Sequence, residues 1–264
     1  MRLSKFNPFR KKPSAVREAL HLAQDQRDQI EELKKLEAYR REFLGNVSHE
    51  LKTPLFNIQG YLLTLLDGGM DDPAIMTEYL KRSEKNIDRM IAIIEDLETI
   101  SQLETGEMKL NPLRFDMVGL TRDVVELLET KAAHKGITLR CGEEQGRSYN
   151  VLADKERIRQ VMINLVDNSI KYGNEGGSTV VTFADEGTTV LTTVSDNGIG
   201  IARKDIPRLF ERFFRVDKSR SREQGGSGLG LSIVKHILEA HQSEVSVVSA
   251  PGEGSAFSFR LKKP

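Results

Sequence analysis

Apolar residues recur at alternating steps of three and four over much of the first hundred residues, which predicts amphipathic helices. The first series is Leu44, Val47, Leu51, Pro54, Ile58, Tyr61 and Leu65. The second series is Leu80, Ser83, Ile87, Met90, Ile94, Leu97 and Ser101. Residues 67–73, with two glycines and a proline, lie between the series and predict a turn. The pattern therefore predicts a helical hairpin, and two such hairpins would bury their seams as a dimeric four-helix bundle.

The predicted first helix also extends upstream to Ala15. Between residues 15 and 41 its apolar stripe is irregular and charged residues dominate, so we interpret this part as a coiled-coil-like stalk, with a solvated helix as the alternative. Residues 1–14 form a basic tail that is either solvated or a surface-binding arm beside a membrane. The tail's basic residues are Arg2, Lys5, Arg10, Lys11 and Lys12.

The pattern changes beyond the second helix. Residues 105–115 contain a glycine and a proline and predict a linker. From residue 116 to residue 264, helical stretches alternate with short runs that are typical of strands, which predicts an α+β domain. The predicted helices are 117–133, 155–172 with Asp154 as its N-cap, and about 227–242. The predicted strands are 137–141, 151–153, 179–184, 190–195, 244–248 and 256–261.

The bulk composition restricts the function classes. The chain has 264 residues, with 39 Lys and Arg against 39 Asp and Glu, and this balance argues against a nucleic-acid partner. Cys141 is the single cysteine, which excludes an intramolecular disulfide and favours a reducing compartment. No run of about 18 apolar residues occurs, so no membrane span is expected.

One histidine stands out as a candidate nucleophile. His49 lies off the first apolar series, so its ring is expected to face solvent, where a neutral imidazole can attack an electrophile. Glu50 beside it could act as a general base and orient one ring nitrogen. Pro54 cannot donate a hydrogen bond to the carbonyl of Glu50, so the helix is expected to bend there. A zinc-protease motif is excluded because Thr53 occupies the position of its second histidine.

The run His49-Glu50-Leu51-Lys52-Thr53-Pro54-Leu55 resembles the phospho-acceptor box of bacterial sensor histidine kinases. Three further boxes of that family follow in order, and the resemblance covers roughly residues 40–264. It implies a dimerisation and phosphotransfer hairpin at 42–104 and a catalytic ATP-binding sandwich of the GHKL type at 116–264. It also implies that His49 is phosphorylated from ATP, with Glu50 as the base, and then phosphorylates an aspartate of a response-regulator receiver domain.

The same resemblance gives further expectations. Thr53, one turn after His49, would place a water for phosphatase activity toward the regulator. The local sequence looks most like that of phosphate-regulon-type sensors. Many relatives carry a membrane anchor upstream, so we expect a cytoplasmic protein or the cytoplasmic portion of an inner-membrane sensor.

The second box, which we call the N box, is Asn164–Tyr172. Asn164, Asn168 and Lys171 are spaced four and three apart and share one helix face. A polar solvent face is one interpretation, and a magnesium–phosphate site is the other, because amide oxygens suit a hard cation shared with phosphates. The resemblance implies Asn168 as the main Mg²⁺ ligand and Asn164 as its supporting partner, with Lys171 and Tyr172 reaching phosphate.

The remaining boxes are rich in glycine or aromatic residues. Asp196–Gly200, the first glycine box, resembles an adenine site in which Asp196 contacts the base and Gly198 and Gly200 allow close approach. Residues 209–217 could be a core patch with surface arginines, but they resemble the family's F box, and this resemblance implies a phosphate-binding arginine, with Arg215 slightly favoured over Arg212. Residues 218–225 correspond to the family's ATP lid. The second glycine box precedes a helix and is expected to bind phosphate through backbone amides; its site residues are Gly226, Ser227, Gly228, Leu229 and Gly230.

Two alternatives remain open at this stage. A GHKL ATPase of the chaperone or mismatch-repair type would use ATP to close a clamp, but the histidine hairpin argues against it. A catalytically silent sensor scaffold would have lost the reactive residues, yet each expected position is filled. His236 and His241 are interpreted as ordinary helix residues, because a spacing of five does not place them on a shared face.

Overall fold

The structure, a computed structural model, describes residues 13–105, 109–142, 147–216 and 226–264. Most of the predicted basic tail, part of the predicted linker and the whole of the predicted ATP lid fall outside those residues. The chain divides into two compact units, one ending at Lys52 and the other beginning at Thr53.

Two long helices form the first half of the chain, as predicted. Helix α1 runs from Pro13 to Leu66 and α2 from Pro73 to Glu104, with a 3₁₀ turn at Gly69–Asp71 between them. Asp72 caps α2, because its Oδ1 accepts a hydrogen bond from the amide of Ala74 at 2.8 Å. Within the second unit, the rings of Tyr61 and Tyr79 stack with centroids 5.4 Å apart, which joins the end of α1 to α2.

In the single chain, the predicted apolar series of α2 is divided between buried and exposed positions. Its alternate members Ser83, Met90 and Leu97 are buried or half-buried, but Leu80, Ile87 and Ile94 are exposed. The buried and half-buried stripe is Met76, Tyr79, Ser83, Asn86, Met90, Ile93, Leu97 and Ile100. Helix α2 therefore carries apolar residues on two neighbouring faces, one buried and one exposed. The predicted series contains residues from both faces.

The second half of the chain is an α+β domain. Its helices are α3 (Met117–Ala133), α4 (Lys155–Tyr172) and α5 (Gly230–Ala240), with a 3₁₀ turn at Ile206–Arg208. Its strands are β1 (Pro112–Asp116), β2 (Thr138–Gly142), β3 (Asn150–Asp154), β4 (Ser178–Asp185), β5 (Thr189–Asp196), β6 (Ser246–Ala250) and β7 (Gly254–Lys262). All six predicted strands are confirmed, with ends that differ by two residues at most.

Strand β1 was not predicted, because it lies inside the stretch assigned to the linker. It pairs antiparallel with β3, so that Phe115 faces Val151 and both side chains are buried. The other five strands form a sheet in the order β2-β4-β5-β7-β6, in which only β2 and β4 run parallel. The sheet is therefore mixed, and the α+β domain expected from the sequence is confirmed.

The core lies between this sheet and the helices. Buried residues alternate with more exposed ones along β5 and β7, so one face of the sheet packs against the helices. Helix α4 lies between α3 and α5 and brings its apolar side into the core, while its polar side carries the N box. In the described part of the chain, no helix is both long and apolar enough to span a bilayer.

Candidate functional site

The first unit contains the predicted nucleophile. His49 is exposed and Glu50 is half-buried, both in the continuous helix α1, which confirms that the ring of His49 is open to solvent. In the second unit, Thr53 is exposed and Pro54 is buried within the same helix.

The N box lies on the last three turns of α4. Asn164 and Asn168 are both half-buried, and Asn164 faces the start of α5. A Cβ on Gly230 would lie only 3.0 Å from Asn164 Oδ1, so the glycine allows the backbone of the second glycine box to approach the asparagine face. The structure thus brings together Asn164 and Gly230, which belong to different boxes and are 66 positions apart in sequence.

The first glycine box begins at the end of β5. The amide of Gly198 donates a hydrogen bond to Asp196 Oδ1 at 2.8 Å. Burial raises the pKa of Asp196, and backbone hydrogen bonds from Gly198 and Ser255 oppose that rise. An acceptor carboxylate, partly buried and fixed by backbone amides, suits recognition of a base amino group.

Glycine is required in this box for steric reasons. A Cβ on Gly200, whose φ is +66°, would lie 1.9 Å from the carbonyl oxygen of Ala250. A Cβ on Gly198 would lie 2.4 Å from the carbonyl oxygen of Tyr172, which already accepts a hydrogen bond from the amide of Ile199 at 3.1 Å. The box therefore lies directly against the C-terminal end of α4.

The F box meets the second glycine box. Phe213 has a φ of +59° and donates its amide proton to the carbonyl of Gly228 at 3.0 Å. Gly228 has a φ of +78°, and a Cβ there would lie 2.9 Å from Phe213 Cα. A bulky residue in the left-handed region is uncommon and marks a segment that its surroundings hold in place.

The two arginines of the F box have different environments. A guanidinium nitrogen of Arg215 lies 3.8 Å from the position of a Cβ on Gly226, and the positive charge of Arg215 acts on Tyr172 of the N box. Arg212 instead lies 3.5 Å from the ring of His236. Arg215 is thus placed among the predicted phosphate-binding residues, and Arg212 is placed beside α5.

The site also contains the carboxylate of Asp96, a residue of α2 that the sequence did not indicate. Ser227 of the second glycine box donates a hydrogen bond to Asp96 Oδ2 at 3.1 Å, while Ser227 Oγ accepts from the amide of Leu229 at 3.2 Å. Burial raises the pKa of Asp96 to about 6, against the opposing effects of Ser227 and of the charge of Lys171. No motif marks this position, since Asp96 is one of many charged residues on α2.

A second unpredicted carboxylate, Asp167, lies inside the N box. Lys171 Nζ is 2.7 Å from Asp167 Oδ2, and Lys131 Nζ of α3 contacts the other carboxylate oxygen. Burial favours a higher pKa of Asp167, but the two ammonium groups outweigh it and leave the pKa below its ordinary value. The spacing of four from Lys171 could have indicated the pair, whereas Lys131 could not have been found without the fold.

His241 also has a more specific position than expected. It follows the last residue of α5, and its Nε2 accepts a hydrogen bond from the amide of Asp154 at 3.0 Å. Its Nδ1 lies 2.7 Å from the carbonyl oxygen of Ile237. The ring thereby joins the end of α5 to the start of α4, which carries the N box.

Comparisons with known protein families place two domains in this chain. The family described as His Kinase A (phospho-acceptor) domain matches residues 39–106. The family described as histidine kinase-, DNA gyrase B-, and HSP90-like ATPase matches residues 153–264. The first match includes His49, and the second includes the N box and both glycine boxes.

Individual relatives agree with these matches. The sensor histidine kinase WalK of Bacillus subtilis is 35% identical over 237 residues, which are 88% of this chain and 38% of WalK. The phosphate regulon sensor protein PhoR of Pseudomonas aeruginosa is 37% identical over 248 residues, which are 92% of this chain and 53% of PhoR. The chain thus spans about half the length of these relatives, or less.

A solved structure of the histidine kinase ThkA, in complex with the response regulator protein TrrA, resembles the present fold with a TM-score of 0.68 and 27% identity. The similarity covers 93% of this chain and 67% of the matched one.

Proposed function

This chain belongs to the sensor histidine kinases, and we propose that it transfers the γ-phosphoryl group of ATP to His49. The observation that carries the proposal is the convergence of four separate segments at the end of α4. The N box, Asp196, Arg215 and the second glycine box lie together in the second unit, while an exposed histidine next to a carboxylate lies on α1.

Asp196 is proposed to bind the adenine ring. Its carboxylate accepts hydrogen bonds, as the adenine amino group requires, and the glycines beside it leave room for a flat base. Because burial raises the pKa of Asp196, the protonated form occurs at a higher pH than for an ordinary aspartate. Acidification should therefore weaken nucleotide binding.

The phosphates are proposed to lie between the N box and the second glycine box. Lys171 and Arg215 supply positive charge, Tyr172 supplies a hydroxyl donor, and residues 226–230 lead into the N-terminus of α5. Asn168 and Asn164 would offer two neutral amide oxygens to a Mg²⁺ ion. Such a pair fits Mg²⁺, because this ion usually takes few ligands from the protein and the rest from water and substrate phosphates. When bound, the ion would neutralise charge on the phosphates.

The chemical step needs little covalent work from the protein. The Nε2 lone pair of His49 forms a bond to the γ-phosphorus, the bond from that phosphorus to the β,γ-bridging oxygen breaks, and ADP leaves. The ring then loses its Nδ1 proton, and Glu50 is the proposed acceptor. Catalysis is mainly positioning and charge neutralisation.

The proposal is tested by incubation with γ-labelled ATP and Mg²⁺. The unaltered chain should acquire label that survives alkali and is lost in acid, as expected for phosphohistidine. His49→Ala should acquire none, whereas His21→Ala, which alters another exposed histidine of α1, should label normally. ATP hydrolysis without any protein-bound label would favour the chaperone-like GHKL alternative instead.

A homodimer is proposed from the exposed apolar face of the second unit. The large apolar side chains on this face are Leu55, Phe56, Leu62, Leu63, Leu66, Leu80, Ile87, Ile91 and Ile94. Many exposed apolar side chains on a helical hairpin are typical of a hairpin that packs against a partner. Analytical ultracentrifugation should find a dimer, and Ile87→Lys should shift it toward monomer.

The partner is proposed to be a response-regulator receiver domain, which would take the phosphoryl group on an aspartate. ThkA has been solved with such a regulator, and it resembles this chain over most of its length. Thr53, exposed on α1, is proposed to support the reverse removal of phosphate from the regulator. Thr53→Ala should then retain autophosphorylation of His49 and lose phosphatase activity, while an equal loss of both activities would reject that role.

The proposed location is the cytoplasm, where ATP and the regulator are available, with membrane association through an upstream anchor in a longer protein.

A further inference from the structure

Asp167 is a single carboxylate that binds two lysines. Its Oδ2 lies 2.7 Å from Lys171 Nζ, and its Oδ1 accepts from Lys131 Nζ. The carboxylate and the Lys171 side chain are both mostly buried, at 17% and 20% exposure, while Lys131 is half exposed. Solvent screening is therefore weak at the Lys171 pair, and its geometry is correspondingly well defined.

The ammonium group held by Asp167 belongs to Lys171, one of the residues of the proposed phosphate site. The charge of Lys171 acts on Asp96, which contacts Ser227 in the second glycine box. The next residue, Tyr172, is bound through its carbonyl to the first glycine box. Lys171 thus lies between the two glycine boxes.

A second lysine, two residues beyond the end of α3, supports this arrangement. Lys135, one turn after Lys131, donates hydrogen bonds to the carbonyl of Ile170 at 2.9 Å and to that of Lys171. These are the last carbonyls of α4, which have no partner within the helix. Lys131 of α3 and Lys135, which follows the helix, therefore fix both the carboxylate and the backbone at the end of α4.

We propose that Asp167 is a positioning residue for nucleotide binding, which holds the Lys171 ammonium in line with the phosphates while Lys131 anchors the carboxylate from α3. This inference rests on the proposed function and deepens it. A free lysine must lose rotamer freedom when it binds phosphate, whereas a lysine that is already held has lost it beforehand. With two ammonium groups on one carboxylate, the cluster stays positive and still attracts an anion.

The test separates positioning from support of the fold. Binding of MgATP and of adenosine is titrated to the whole chain and to Asp167→Asn, because adenosine lacks the phosphates that Lys171 is proposed to bind. We expect Asp167→Asn to weaken MgATP binding by about tenfold while adenosine binding changes by less than about twofold. Asp167→Glu, which keeps the charge, should restore a large part of the MgATP affinity.

A matched control is available on the same two helices. Asp123 of α3 lies 3.3 Å from Arg159 of α4, which also joins the helices but is about 18 Å along α4 from Lys171. Asp123→Asn should leave both affinities unchanged.

Other outcomes would overturn the inference. If Asp167→Asn weakens MgATP and adenosine equally, Asp167 only supports the fold, and the positioning role is wrong. If it weakens neither, Lys171 does not depend on Asp167. If the unaltered chain binds neither ligand, the proposed function itself fails and this inference fails with it.

Discussion

Burial of the Asp96 carboxylate makes the stability of the second unit depend on pH. Burial raises the pKa of Asp96 from an ordinary 3.8 to about 6. Between those values the folded chain binds more protons than the unfolded chain, so the free energy of unfolding falls as the pH rises. One pKa unit corresponds to about 1.4 kcal/mol, so the full shift sets an upper limit of about 3 kcal/mol.

Asp96→Asn removes the titration and retains an oxygen that can accept the Ser227 hydrogen bond. The variant should have nearly the same melting temperature as the unaltered chain below about pH 4. Above about pH 6 it should be the more stable of the two, and each 1 kcal/mol gained should raise the melting temperature by roughly 2–4 °C. Thermal unfolding followed by circular dichroism at several pH values measures the difference.

Glu98→Gln is the matched control, because Glu98 is exposed on the same helix and its loss changes the net charge equally. Its melting profile should run parallel to that of the unaltered chain. If Asp96→Asn also gave a parallel profile, with a constant difference at every pH, then Asp96 would not be desolvated in this contact and the reasoning from its burial would be refuted.

Three further predictions concern the nucleotide site and its support. Asp196→Asn should bind ATP at least about tenfold more weakly in calorimetric titration and lose the fall in affinity on acidification that the raised pKa of Asp196 predicts; unchanged binding would exclude an adenine contact. Gly200→Ala should lower the melting temperature much more than Gly176→Ala. Both glycines have a positive φ, but of the two only Gly200 would place its Cβ against a backbone oxygen, at 1.9 Å. Equal effects of the two substitutions would contradict the steric argument. His241→Ala should lower the free energy of unfolding by about 1–3 kcal/mol, because it leaves the Asp154 amide at the start of α4 without its acceptor. Urea titration measures this loss, and His134→Ala, at an exposed position, should change the free energy of unfolding little.

The sequence predicted most of the fold because its periodicities are strong. The break at residues 67–73 and the step from helical to strand periodicity after residue 115 gave the two helices of the hairpin and six of the seven strands. Strand β1 was missed because its five residues begin with a proline in a stretch rich in turn residues, and because its partner strand β3 lies about 40 positions further along the chain. The exposed stripe of α2 was merged with the buried one because both recur at helical spacing.

The candidate site was predictable where local motifs define it and unpredictable where distant elements meet. Asn168, Asp196 and the glycine-rich segments are marked by spacing and by glycines that the structure requires sterically. Asp96 and Lys131 have no such mark, because their importance comes from contacts across 131 and 36 positions of sequence. Charged residues on exposed helices are common, so only the fold distinguishes these two from the others.

The account's central claim is that His49 receives phosphate from ATP, and the most direct test locates that phosphate. Trypsin cleaves after Arg41 and Lys52, so His49 falls in the peptide of residues 42–52, which also contains Ser48. After incubation with MgATP, tandem mass spectrometry under alkaline conditions should find phosphate on His49 in that peptide, lost after brief acid treatment and absent when Asn168 is replaced by alanine. Acid-stable phosphate on Ser48, or modification of a different peptide, would contradict the claim.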